Sequence, residues 1–308
     1  MPASLPIGTR GSPLALWQAE HVRERLAFQH GPDQGAASLS VITTSGDRIQ
    51  DQSLANFGGK GLFTMEIDEA LLQGNIALAV HSMKDLPTKL PDGLCLAAVL
   101  PRADVRDAFL SPQAASLDTL HEGAAVGTSS LRRAAQVKRA RPDLRVIDFR
   151  GNVQTRLRKL AEGVADATLL AKAGLDRLDL ADAATSVLSV DDVLPAVAQG
   201  AIGIVAREED TKTWTLLDPL NDAMTATAVS CERMFLAELD GSCRTPIAGL
   251  AEIEGDAVRF RGLILSPDGA EWHDVELSGP FADAEALGRQ AGEELRGRAG
   301  QDFLARLV

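Results

Sequence analysis

Five short polar segments of this 308-residue chain carry side chains able to bind an anion or form a covalent bond. Gly8-Thr9-Arg10-Gly11-Ser12 and Gly127-Thr128-Ser129-Ser130-Leu131-Arg132-Arg133 each set arginine and hydroxyl groups at an expected helix start, where unpaired backbone N–H groups favour negative charge. Arginine pairs with carboxylate through two parallel N–H bonds, so two such segments suit a ligand with several carboxylates. In His81-Ser82-Met83-Lys84-Asp85-Leu86-Pro87, directly after an apolar run, Asp85 is either a turn former or a carboxylate that moves a proton and stabilises developing positive charge. His81 itself reads as a packed strand-end residue. Asn56-Phe57-Gly58-Gly59-Lys60-Gly61-Leu62-Phe63 is glycine-rich ahead of a helix but lacks phosphate-loop and dinucleotide spacing, and reads as a mobile loop carrying Lys60.

The fifth segment is Asp240-Gly241-Ser242-Cys243-Arg244-Thr245-Pro246. Turn residues on one side of Cys243 and a cation on the other favour exposure and thiolate character, which leaves an ordinary loop cysteine or a point of nucleophilic or covalent chemistry. Cys95 and Cys231 lie among apolar residues and read as core. An odd total of three argues against a disulfide framework, and no Cys or His pair has metal-ligand spacing, so no metal is expected.

Positioning these groups falls to a chain of ordinary globular composition, 45 % hydrophobic and 24 % charged, with no Tyr and hence an aliphatic core. No stretch approaches the ~18 apolar residues of a membrane helix, and Met1 to Arg10 lacks a basic start and apolar run, so a cytoplasmic protein is expected. The net charge is −12, yet residues 127–159 hold ten Lys and Arg against Asp143 and Asp148. That cationic block points to an anionic partner.

Short apolar strands alternate with amphipathic helices through the first two-thirds. Strands are expected at 7–9, 39–43, 76–80, 124–127, 144–148 and 167–171, with helices after Ser12-Pro13, around Phe63, Ile67 and Leu71, and at 130–140, 153–161 and 174–178. The alternation implies parallel α/β sheets. Pro101-Arg102-Ala103-Asp104 reads as a crossing into a second unit, and the buried strand 201–206 as a return to the first. From 222 the pattern changes to a helix, three strands at 247–253, 257–265 and 271–278, and a last helix at 281–299. The expected domains are 1–100 with 198–220, then 103–195, then a small α+β domain at 222–308.

Taken together, Thr9 to Ala15, Gly58 to Phe63, His81 to Asp85, Gly127 to Arg133, Arg150-Gly151-Asn152-Val153-Gln154-Thr155-Arg156, Leu194 to Val197 with Gln199-Gly200, and the Cys243 loop closely resemble the porphobilinogen deaminase family. The resemblance implies two α/β domains like the lobes of a solute-binding protein, with a cleft between them and a third domain presenting the cysteine. It implies a transferase that joins four porphobilinogen units head to tail with loss of ammonia, giving hydroxymethylbilane in haem biosynthesis. It further implies a dipyrromethane cofactor, attached by a thioether to Cys243, and a monomer. Asp85 matches the catalytic carboxylate. Lys84, Thr128, Ser129, Ser130, Arg132, Arg133 and Arg150 match cofactor-binding positions, and Arg10, Ser12, Lys60, Phe63, Arg156 and Arg177 substrate-binding ones. Met65 stands where Lys is frequent, Ala198 where Gly is common, and Ser242 to Thr245 is one of several variants around the cysteine.

Two other functions fit parts of the pattern. A bilobal binding protein for an anionic small molecule would need no exposed cysteine. Nucleic-acid binding through 127–159 would have one aromatic, Phe149, for stacking, and a strongly acidic remainder repelling phosphate.

Overall fold

A computed structural model describes residues 4–48, 64–241 and 245–306. In chain order the elements are β1 (Leu5–Thr9), α1 (Pro13–Gln34), β2 (Ala37–Val41), α2 (Ser45–Arg48), α3 (Met65–Leu72), β3 (Leu78–Ser82), β4 (Leu94–Val99), β5 (Asp107–Leu110), β6 (Ala125–Gly127), α4 (Leu131–Ala140), β7 (Arg145–Ile147), α5 (Val153–Ala161), β8 (Ala167–Ala171), α6 (Lys172–Asp176), β9 (Ser186–Val187), β10 (Ile202–Arg207), α7 (Thr211–Leu217), α8 (Ala223–Glu238), β11 (Ile247–Glu254), β12 (Ala257–Leu265), β13 (Trp272–Pro280) and α9 (Ala284–Ala305). They fall into two compact units, Met1–Arg102 with Ala201–Ala226, and Ala103–Gly200 with Thr227–Val308.

The first unit is a five-stranded sheet in the order β2-β1-β3-β10-β4. β1 runs parallel to β2 and β3, as the alternation predicts. β10 does return to this sheet, but antiparallel to both of its neighbours, so the sheet is mixed. Its inner strands β3 and β10 are buried almost throughout, and Ile7, Val22, Leu26, Leu78, Val80, Ile202 and Ile204 close one core. Gly8 lets the Ile76 side chain pack against β1: a Cβ would stand 2.3 Å from Ile76 Cδ1, and that methyl would have to move.

In the second unit the order is β7-β6-β8-β5-β9. β6 runs parallel to β7 and β8, and β5 is antiparallel to β8 and β9. A separate antiparallel sheet, β11-β12-β13, packs Leu250, Leu263 and Leu265 against Ala135 of α4. The expectation of purely parallel sheets is therefore corrected in both units. Each gains its antiparallel strands from segments that an alternation of strand and helix does not foretell. Cys231 on α8 is a core residue, whereas Cys95 on β4 is half-buried and not the core residue expected; burial pushes the Cys95 thiol up to about 11 and that of Cys231 to about 12.

Candidate active site

In open α/β sheets, ligands meet the carboxyl ends of parallel strands, and both units carry their polar segments there. β1 and β3 are parallel neighbours. Arg10 and Ser12 follow β1, and a single 3₁₀ turn, Met83–Asp85, follows β3. Ser12 caps α1 by accepting from the Ala15 N–H at 3.3 Å, with Pro13 at the first helical position. Gln18 of α1, itself buried, donates to Ser82 Oγ at 2.8 Å and fixes the helix to the end of β3. Lys84 is half-buried and Asp85 exposed, so its carboxylate is open to solvent and to a ligand. His81 is packed, as its position at the strand end predicts. Burial, reinforced by the Arg10 charge, lowers its imidazole to about 4 and keeps it neutral.

In the second unit, polar segments follow β6, β7 and β8. After β6, Thr128 Oγ1 accepts from the Ser130 N–H at 3.2 Å, and Ser130 caps α4 on the Arg133 N–H. Ser129 donates to the Asp148 carboxylate and accepts from the Phe149 N–H at 3.0 Å, tying this turn to the segment after β7. All three hydroxyls therefore hold local backbone. Arg150 lies 3.4 Å from Asp148, Asn152 caps α5 on the Thr155 N–H, and Arg156 is half-buried in the first turns of that helix. Arg177, after α6, donates to the Gly200 carbonyl at 2.7 Å, and burial lowers its guanidinium to about 10.

Arg132 and Arg133 are only 4 % and 5 % exposed, and both reach Asp107, which is wholly buried. Burial alone would raise the Asp107 carboxyl; the two guanidiniums outweigh it and hold the group well below the usual carboxylate range. Asp107 is the site-side residue that sequence reasoning missed. The only signal was an acidic residue opening the apolar run Ala108-Phe109-Leu110, which is too short to show a period.

The cationic block divides into two populations. Lys138 donates to the Leu144 carbonyl, Arg145 to that of Gly123, and Arg141 to those of Leu117, Asp118 and Leu120; Arg139 covers Trp272, and Arg158 pairs with Glu162. These serve the fold. Arg132, Arg133, Arg150 and Arg156 stand at the carboxyl ends of the strands. Lys60, Phe63 and Cys243 lie outside the described residues, as does the whole glycine-rich segment 56–63.

The family model described as "Porphobilinogen deaminase, dipyromethane cofactor binding domain" matches residues 5–215, and "Porphobilinogen deaminase, C-terminal domain" matches residues 226–297. The chain belongs to the porphobilinogen deaminase family. The porphobilinogen deaminase of Nitrobacter winogradskyi is 57 % identical over 297 residues, covering 96 % of this chain and 94 % of its own. The chloroplastic porphobilinogen deaminase of Oryza sativa subsp. japonica is 55 % identical over 302 residues, covering 96 % and 84 %. Among solved structures, the methionine-binding protein MetQ aligns with a TM-score of 0.44 at 15 % identity, over 70 % of this chain and 90 % of its own.

A dipyrromethane carries carboxylate arms, and the second unit fits such a group. Arg132 and Arg133 bring two positive charges to one carboxylate, and the buried Nε of each has no hydrogen-bond partner among the described residues. Among the described residues no helix is long and apolar enough to cross a membrane, and no cluster of three or more potential metal ligands occurs.

Proposed function

We propose that this chain is a transferase that condenses four porphobilinogen molecules head to tail, releasing ammonia at each addition, to give hydroxymethylbilane for haem biosynthesis. The match of the family's cofactor-binding domain over residues 5–215 carries the reading. Held by a thioether at Cys243, the dipyrromethane supplies the pyrrole carbon to which the first substrate is joined.

The protein's own groups divide the work by chemistry. Asp85, exposed on its short turn, accepts hydrogen bonds from pyrrole N–H groups. Its charge stabilises the cation left when porphobilinogen loses ammonia, and its oxygen can carry a proton away. Arg132, Arg133, Arg150 and Lys84, with Thr128, Ser129 and Ser130 shaping the α4 start, hold the acid arms of the cofactor. Arg10, Ser12, Arg156 and Arg177, together with Lys60 and Phe63, receive those of the incoming substrate. Each added pyrrole brings two more carboxylates, which is why one chain needs so many guanidiniums in these segments.

The enzyme acts as a cytoplasmic monomer, without a metal or a nucleic-acid partner. Against nucleic acid, Phe149, the one aromatic of the cationic block, is wholly buried and cannot stack on a base.

The test is the intact mass of the purified protein. An increment equal to two linked pyrroles is expected, absent in Cys243→Ser. Active protein with the bare polypeptide mass would refute covalent attachment.

A further inference from the structure

Consecutive residues on a helix diverge by about 100°, yet Arg132 and Arg133 converge on one group. Asp107, the first residue of β5, accepts from Arg132 Nη2 on Oδ2 at 2.8 Å and from Arg133 Nη2 on Oδ1 at 2.7 Å. Oδ1 also accepts from Gln199 Nε2 at 2.9 Å, and the same amide reaches the Val105 carbonyl at 2.8 Å. Arg132 Nη1 donates to the Leu194 carbonyl at 2.8 Å. Leu194 is itself bracketed by Gln136, whose Oε1 accepts its N–H at 2.8 Å and whose Nε2 donates to its carbonyl at 3.0 Å.

The Leu194–Gly200 segment is thus bonded to the arginine pair on one side. On the other, the Gly249 N–H of β11 donates to the Pro195 carbonyl at 3.1 Å, and the Ala198 N–H donates to Glu232 Oε2 at 2.5 Å. Glu232, wholly buried on α8, also accepts the Ala251 N–H at 2.8 Å. Two buried guanidiniums without Asp107 would repel each other and lie unpaired, so the carboxylate both joins and orients them. It takes one N–H from each fork, leaves each Nε over, and neutralises only one of the two charges.

We propose that Asp107, steered by Gln199, is a positioning residue that sets Arg132 and Arg133 for the carboxylates of the covalent primer. The inference rests on the functional reading above and gives Gln199, in the Leu194–Gly200 motif, the task of holding Asp107.

The test follows primer incorporation into full-length protein prepared in a host that makes no porphobilinogen. Porphobilinogen is then added, and the gain of two pyrrole units is timed by intact mass, well below each variant's own Tm. Asp107→Asn is expected to acquire the primer on the order of tenfold more slowly than the unaltered chain. Gln199→Ala, which keeps every charge, is expected to be slowed in the same sense but less. Incorporation at the unaltered rate in both variants, whatever their Tm, would overturn the proposal by reducing Asp107 to a stability element. If Asp107→Asn does not fold, Gln199→Ala alone decides on the same criterion. Unaltered protein that gains no mass would overturn the functional reading itself, and the present inference with it.

Discussion

Ala198 adopts a left-handed backbone, with φ of 59°, and its N–H is pinned at 2.5 Å by a carboxylate oxygen of the buried Glu232. An alanine in that region costs energy that the surroundings must offset. Both Glu232 oxygens are spent on backbone N–H groups, Ala198 and Ala251. Glu232→Ala leaves both donors buried and unsatisfied, and should destabilise the protein by about 2–4 kcal/mol. Urea unfolding checks this, and a change below ~0.5 kcal/mol would mean the strained turn holds itself.

Asp85 is exposed, so its loss removes no packing. Asp85→Asn should melt like the unaltered protein while turning over porphobilinogen about a hundred- to ten-thousand-fold more slowly. Near-normal turnover would remove Asp85 from the chemistry.

Two buried groups in the first unit give opposite pH dependences. The His81 imidazole is lowered to about 4, so between about 6.5 and 4 the unfolded chain binds the extra proton and stability falls as pH falls. Burial raises the Asp68 carboxyl to about 6 against an opposing bond with Thr64, so between about 6 and 3.8 the folded state binds the extra proton and stability rises as pH falls. In the unaltered protein these nearly cancel. Asp68→Asn should therefore lose Tm more steeply than the parent on going from pH 6 to pH 4, and His81→Asn less steeply. Parallel Tm–pH curves for all three proteins would show that neither group titrates as described.

Arg141 spans three carbonyls of the Leu117–Leu120 turn and pairs with Asp143 at 2.6 Å. Arg141→Ala should lower Tm and leave both kcat and KM for porphobilinogen unchanged. Arg156→Ala, by contrast, should raise KM. A raised KM in Arg141→Ala would move that residue from the fold to the substrate.

Period and capping carried the sequence reading where elements are regular. The helix at 153–161 and the strands at 167–171 and 257–265 match residue for residue, and Ser12 and Ser130 cap α1 and α4. β3 begins two residues later than expected, because a continuously apolar run has no period to mark its start. β4, β5 and β9 carry no helix after them to announce them, and strand direction is set by connections that composition does not record. The arginines at the carboxyl ends of the strands were legible as motifs, but which basic residues serve the fold was not. Lys138, Arg141 and Arg145 find carbonyls of turns that exist only once the chain is folded.

β10 lies between β3 and β4, bonded to both, although about a hundred residues separate it from either in the chain. A nascent polypeptide leaving the ribosome therefore cannot complete its first sheet when the first hundred residues have emerged. Until residue 207 is made, β3 and β4 each present an unpaired apolar edge, the kind of surface that chaperones bind and that aggregates. A truncation ending before Ile202 would keep that vulnerability permanently.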